Sequence, residues 1–139
     1  MRRFATVLAC VLSLPALAFA QTQAPAAPAK YVRPVKGMAT IDLVQVSSKP
    51  VGKNLVTIIK VKNTSSGAIN LLKVDEYWYN SKGEIVTGGQ YAHKKAPILP
   101  GEIVEITITS PNKRGAARNQ VLFRHANGDV KPTKVKAMK

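Results

Sequence analysis

The sequence predicts an all-β domain, two packed antiparallel sheets of about seven strands, and three observations carry that prediction. From residue 39 onward apolar residues recur at every second position in short runs, the period of a half-buried strand. Clusters of Gly, Pro, Asn and Ser interrupt those runs at the spacing expected of a sandwich. No stretch carries the 3.6-residue period of a long amphipathic helix, and there is no internal repeat.

Each run has its own logic. Residues 39–46 alternate, with Ala39, Ile41 and Leu43 facing one way. Residues 55–62 put Leu55, Thr57, Ile59 and Val61 on one face and Lys60 and Lys62 on the other. Asn63-Thr64-Ser65-Ser66-Gly67 is dense in turn formers. Residues 68–79 read as one long strand, aromatic at its end. Asn80-Ser81-Lys82-Gly83 then fits a type I turn followed by a left-handed glycine, a common route into a hairpin. Residues 84–91 return, and Gly88-Gly89 predicts a bulge or a close backbone approach. Leu99-Pro100-Gly101-Glu102 signals a type II turn, and Val104, Ile106 and Ile108 share a face of the strand that follows. The last two strands, 119–126 and 129–135, are joined by Asn127-Gly128, a strong two-residue hairpin signal.

Residues 1–20 read as a signal peptide and are excluded from the fold. Arg2 and Arg3 precede an uncharged apolar run that Pro15 breaks, and Ala18-Phe19-Ala20 supplies the small residues a signal peptidase needs, so cleavage is expected after Ala20. The run is too short for a stable membrane anchor, so the cleaved chain is expected not to be transmembrane. Cys10, the single cysteine, has only six residues between it and Arg3; lipidation there would leave almost no apolar segment to engage the export machinery. If Cys10 leaves with the signal, the mature chain has no disulfide, although its expected periplasmic or secreted destination is oxidising. Residues 21–38 form a Pro/Ala-rich linker, 39–135 the β-domain and 136–139 a basic tail. Without Arg2 and Arg3 the chain keeps 19 basic and 7 acidic residues. Such an excess implies attraction to something anionic or simple electrostatic solubility.

Three segments resemble a known family. Val61-Lys62-Asn63-Thr64-Ser65-Ser66, the strand ending Trp78-Tyr79-Asn80 before Lys82-Gly83, and Leu99-Pro100-Gly101-Glu102 resemble, in order and spacing, the FxLyD-type domain of exported prokaryotic proteins. Tyr79 matches the tyrosine of the name motif, while Asn80, Trp78 and Glu76 depart from its aspartate, leucine and phenylalanine. The resemblance, over about residues 54–126, implies an immunoglobulin-like sandwich and a binding or accessory module, with no catalytic residues to carry over.

Chemistry-bearing residues are few. The mature chain has two histidines, His93 beside two lysines and His125 at a strand end, and neither stands in a nucleophile or metal motif; both are expected at the surface. The one adjacent acid pair, Asp75-Glu76, points to opposite faces of a strand, which removes it from paired-carboxylate chemistry. No calcium loop or ligand cluster is present, so no enzyme activity, cofactor or metal is expected. Alternation places Trp78 inward with Leu72 and Val74, and Tyr77 and Tyr79 outward, where they could form an aromatic contact surface. Glu76 falls on the inward face, which demands a partner: a lysine, a strand bulge or a place at the rim. Asn63-Thr64-Ser65 matches a glycosylation sequon but reads here as turn chemistry.

The C-terminal part carries Lys113, Arg114, Arg118, Arg124, Lys131, Lys134, Lys136 and Lys139 against Asp129 alone, either a polyanion-binding surface or a solvated end. The expected role is a non-catalytic exported module that binds an envelope protein or other envelope component. The alternative is a basic binder of anionic polymer or lipid headgroups such as lipopolysaccharide. Nucleic acid matches the charge but not the expected destination.

Overall fold

The alternating runs close into seven strands: β1 (Ala39–Val51), β2 (Asn54–Asn63), β3 (Lys73–Tyr79), β4 (Ile85–Ala92), β5 (Ile103–Pro111), β6 (Arg118–His125) and β7 (Gly128–Lys134). The structure is a computed structural model that describes residues 30–138. The expected signal peptide with Cys10, the linker up to residue 29, and Lys139 lie outside the described residues.

The fold is all-β, and the strands follow the order β4-β3-β6-β7-β1-β2-β5 in one continuous sheet that nearly closes on itself. Its two halves face each other as the layers of the sandwich. β7 joins them: Gly128 and Asp129 pair with β6, and residues 130–134 pair with β1. The β1–β7 pairing is parallel, and so is the isolated bridge between Pro34 and Ala68, where an antiparallel arrangement was expected throughout. At the other seam β4 and β5 approach so closely that only glycine fits at position 89. A Cβ there would lie 2.6 Å from both the Thr109 carbonyl and Ser110 Oγ.

The faces follow the alternation. Ile41, Ile59, Val61, Val74, Ile106 and Ile108 are buried in one apolar cluster that both layers share. Each such side chain contributes roughly 1.5–3 kcal/mol on full burial. Trp78 is buried, at 7% exposure, but is not part of that cluster. The turns also follow their chemistry. Gly83 (φ 86°) and Gly101 (φ 80°) hold the left-handed positions their turns require. Asn63, fully buried, stitches its own loop: Nδ2 donates to the carbonyls of Gly67 (2.9 Å) and Ile98 (2.8 Å), and Oδ1 accepts from Ser65 N–H (2.8 Å).

Three local expectations need correction. The strand expected over 68–79 begins only at Lys73, because Leu71 adopts φ 49° and breaks the extended chain; Ile69 instead bridges to Ile98. The last hairpin turns through Ala126 and Asn127, and Gly128 already belongs to β7, so the loop sits one residue earlier than Asn127-Gly128 suggested. Residues 33–37, assigned to the linker, are tied to the domain. Val35 N–H bonds the Ala68 carbonyl (2.9 Å), Ala68 N–H bonds Arg33 (2.9 Å), and Gly37 N–H bonds Asn127 (3.1 Å).

Candidate interaction surface

The outside of the β4-β3-β6 layer is built from every second residue of β3 and β6. In register, Asp75 faces Leu122, Tyr77 faces Gln120, and Tyr79 faces Arg118. On the other flank Tyr77 lies opposite Gly88, which offers no side chain, so one side of its ring is left uncovered. Tyr77 and Tyr79 are half-buried, and Leu122 stands 46% exposed beside them. The Arg118 guanidinium lies 5.9 Å from the Tyr79 ring centre, and Tyr79 Oη donates to Gln120 Oε1 at 3.2 Å. At the far end Arg124 donates to Asp75 at 2.6 Å, with the aspartate largely covered and the arginine open to solvent. The predicted outward placement of both tyrosines therefore holds, with a guanidinium already stacked on one of them.

Beneath that face lies a polar interior that the sequence reading left unassigned. Glu76, 1% exposed, accepts hydrogen bonds from Thr57 Oγ1 (2.6 Å), Ser110 Oγ (2.7 Å) and Asn119 Nδ2 (2.7 Å). Thr57 Oγ1 also shares a hydrogen with Ser48 Oγ at 2.7 Å. The carboxylate is thus satisfied by hydroxyls and an amide drawn from three other strands, and no lysine meets it among the described residues. The pairing β-bulge of β3 falls later, between Trp78 and Tyr79.

The two histidines are buried rather than exposed, at 9% and 7%. His93 Nδ1 lies 3.1 Å from Tyr91 Oη, and its backbone N–H bonds the Leu72 carbonyl at 2.8 Å. His125 Nε2 lies 2.7 Å from the Gly37 carbonyl. Alternation inward with Phe123 accounts for His125; the lysines that follow His93 masked its return toward Leu72. Among the described residues no group of three or more His, Cys, Asp or Glu side chains comes together.

The predicted cations are exposed but do not converge. Lys113 and Arg114 lie in the β5–β6 loop, Arg118 and Arg124 at opposite ends of β6, Lys131 and Lys134 on β7, and Lys136 in the tail. Arg118 and Arg124 are roughly 20 Å apart along their strand at about 3.3 Å per residue. Lys139 is outside the described residues.

A crevice of about 410 Å³ opens where β7 leaves β6, lined by Tyr77, Val121, Leu122, Phe123, Val130 and Pro132 with Asp75, Arg124 and Asp129 at its rim. β6 pairs with β3 from Arg118 to Arg124 but with β7 only at Arg124 and His125. Proline explains the parting. Val135 N–H bonds the Leu43 carbonyl on β1 (3.0 Å), so by strand alternation the backbone of position 132 points toward β6, where Pro132 has no N–H to offer.

No family model matches the chain, and no curated protein matches it. A solved structure of IrmA from Escherichia coli superposes with a TM-score of 0.48, at 6% identity, over 68% of this chain and 91% of that one, a likeness too slight to argue from. Among the described residues no helix is long and apolar enough to cross a membrane. What these observations establish is an all-β sandwich of seven strands whose outer β4-β3-β6 face combines two tyrosines, an exposed leucine and a stacked guanidinium.

Proposed function

We propose that this chain is a non-catalytic, exported accessory module that binds a partner protein of the cell envelope through the outside of its β4-β3-β6 layer. The supporting observation is the composition of that face. Tyr77, Tyr79 and Leu122 remain partly open on the solvent side of a sheet, beside Arg118. Tyrosine and arginine are the residue types that carry binding energy at protein interfaces. Cleavage after Ala20 and membership of the FxLyD-type domains belong to the same proposal. The test is recovery from envelope extracts with the tagged mature protein and with a Tyr77→Ser/Leu122→Ser variant of unchanged stability. A discrete protein retained by the first and lost from the second is the expected result. Equal recovery by both refutes the face.

A second reading has its own observation, the exposure of all seven described C-terminal cations. On that reading the domain binds an anionic envelope polymer or lipid, and recovery falls steeply as salt rises.

A further inference from the structure

We infer that the seam between β6 and β7 accepts an extended segment of the partner protein as an added strand, with apolar residues alternating with acids. This deepens the interaction-module reading and rests on it.

The backbone geometry identifies which groups are on offer. His93 N–H bonds the Leu72 carbonyl, so Leu72 faces β4, and by alternation the backbones of Lys73, Asp75, Tyr77 and Tyr79 face β6. Their register partners Arg124, Leu122, Gln120 and Arg118 therefore spend their N–H and C=O groups on β3. The residues between them point the other way, into the seam. β7 meets that edge only at the Arg124 end, which leaves Asn119 and Val121 with no ladder partner among the described residues. Pro132 keeps β7 from supplying one. β7 also leaves room: Pro132 and Lys134 pair in register with the buried Ile41 and Leu43, yet both are exposed, because no strand covers the sandwich on this flank.

The side chains specify what fits. A strand laid along β6 would set alternate residues inward against Val121, Phe123 and Val130, which calls for apolar groups. The intervening residues would stand outside near Arg118 and Lys131. From residue 110 to 128 the chain carries four cations, Lys113, Arg114, Arg118 and Arg124, and no acid. Asp129 and the Arg124-bound Asp75 are the only acids at the rim, and both lie at the end already closed by β7. Charge complementarity thus selects acids at the outward positions and favours approach from the Arg118 end. Short length and flanking cations are also how sheet edges are protected from self-pairing, and on a strongly basic protein the same cations repel a second copy while admitting an acidic strand.

The probe is a capped seven-residue peptide alternating valine and glutamate, titrated into the isotope-labelled mature protein and followed through its backbone amide signals. A second peptide has the same sequence but N-methyl groups on the amides of one edge, made in both registers; a third is polyglutamate. Expected are shifts and slowed amide exchange centred on Asn119 and Val121. The better-placed N-methyl peptide should bind about 25-fold more weakly, two lost strand hydrogen bonds at roughly a factor of five each. Equal binding by the N-methyl peptides, or polyglutamate binding as tightly with shifts confined to Lys113, Arg114 and Lys136, overturns the inference in favour of plain polyanion binding. Absence of binding by every peptide overturns it too. If a discrete protein is still captured from envelope extracts through Tyr77 and Leu122, only the seam has failed; if none is, the module reading fails with it.

Discussion

Replacing Glu76 by alanine should destabilise the domain by about 3–5 kcal/mol, and the structure shows where that figure arises. The substitution strands three donors at once. Ser110 is fully buried and loses the acceptor of its hydroxyl, which costs about 1–3 kcal/mol. Thr57 keeps Ser48 Oγ, and Asn119 is only half-buried and can turn to water, so each loses less, about 1 kcal/mol. The cavity left by the shortened side chain costs more, but the burial penalty of the carboxylate is removed with it, so the two offset. Glu76→Gln is the informative companion. Its amide oxygen can replace Oε1 and keep the bonds from Thr57 and Asn119, while the Ser110 hydroxyl rotates to accept from the new NH₂ group. The charge assistance is lost and the buried Ser110 hydroxyl hydrogen gives up its acceptor, so about 2–3 kcal/mol is expected, less than for alanine. Urea unfolding of the mature protein, read by Trp78 fluorescence, measures both. A triple replacement, Glu76→Met with Thr57→Val and Ser110→Ala, should recover much of the loss, since it removes both buried hydroxyl partners and leaves only the half-buried Asn119 to turn to water. The reasoning is refuted if Glu76→Ala costs less than about 0.5 kcal/mol, or if glutamine is as damaging as alanine.

Trp78→Ala should cost about 3–5 kcal/mol, because a buried ring is removed, while Tyr77→Ala on the outer face should cost far less; equal small effects in a thermal melt would show that the faces of β3 are reversed. Gly89→Ala should destabilise by about 1–3 kcal/mol, since its Cβ would press on the Thr109 carbonyl, whereas a neutral result would mean that β4 and β5 can separate. Mass spectrometry of the exported protein should find Gln21 at its N-terminus, and an intact Met1 or a lipid-modified Cys10 would contradict the targeting assignment. Changing Lys131, Lys134 and Lys136 together to glutamine should lower sedimentation with anionic liposomes at low salt, each lysine near such a surface contributing about 1 kcal/mol; unchanged binding would mark these cations as solvated. Substitution is needed because truncation after Val130 would remove most of the ladder between β7 and β1.

The sequence carried most of the fold at the level of faces and turns. Leu55, Thr57, Ile59 and Val61 share an inward face because period two leaves no alternative once one face is apolar. The same rule placed Glu76 inward, and also held the clue to its partners: Thr57 and Ser110 are polar residues on otherwise apolar faces. What was missed depends on contacts between distant segments. That those two hydroxyls meet one carboxylate requires the sheet order, which alternation along a single strand does not encode. Leu71 has no side-chain feature that announces a positive φ. The seam was legible in principle, since proline inside a strand denies a partner on one side; Pro132 carried that signal.

The parallel pairing of β1 with β7 sets a clock on assembly. Ala39 faces Val130 in register, so the earliest strand of the sheet waits for its latest. At about 5–20 residues per second the intervening chain takes roughly 5–18 s to appear. During that interval β1 has β2 on one side and nothing to bond on the other. Loop closure over so long a span also comes late in folding, after the hairpins have formed. A nascent chain therefore displays an apolar strand edge that the finished protein hides. That interval, rather than any weakness of the completed fold, is when a chaperone would have the most to protect.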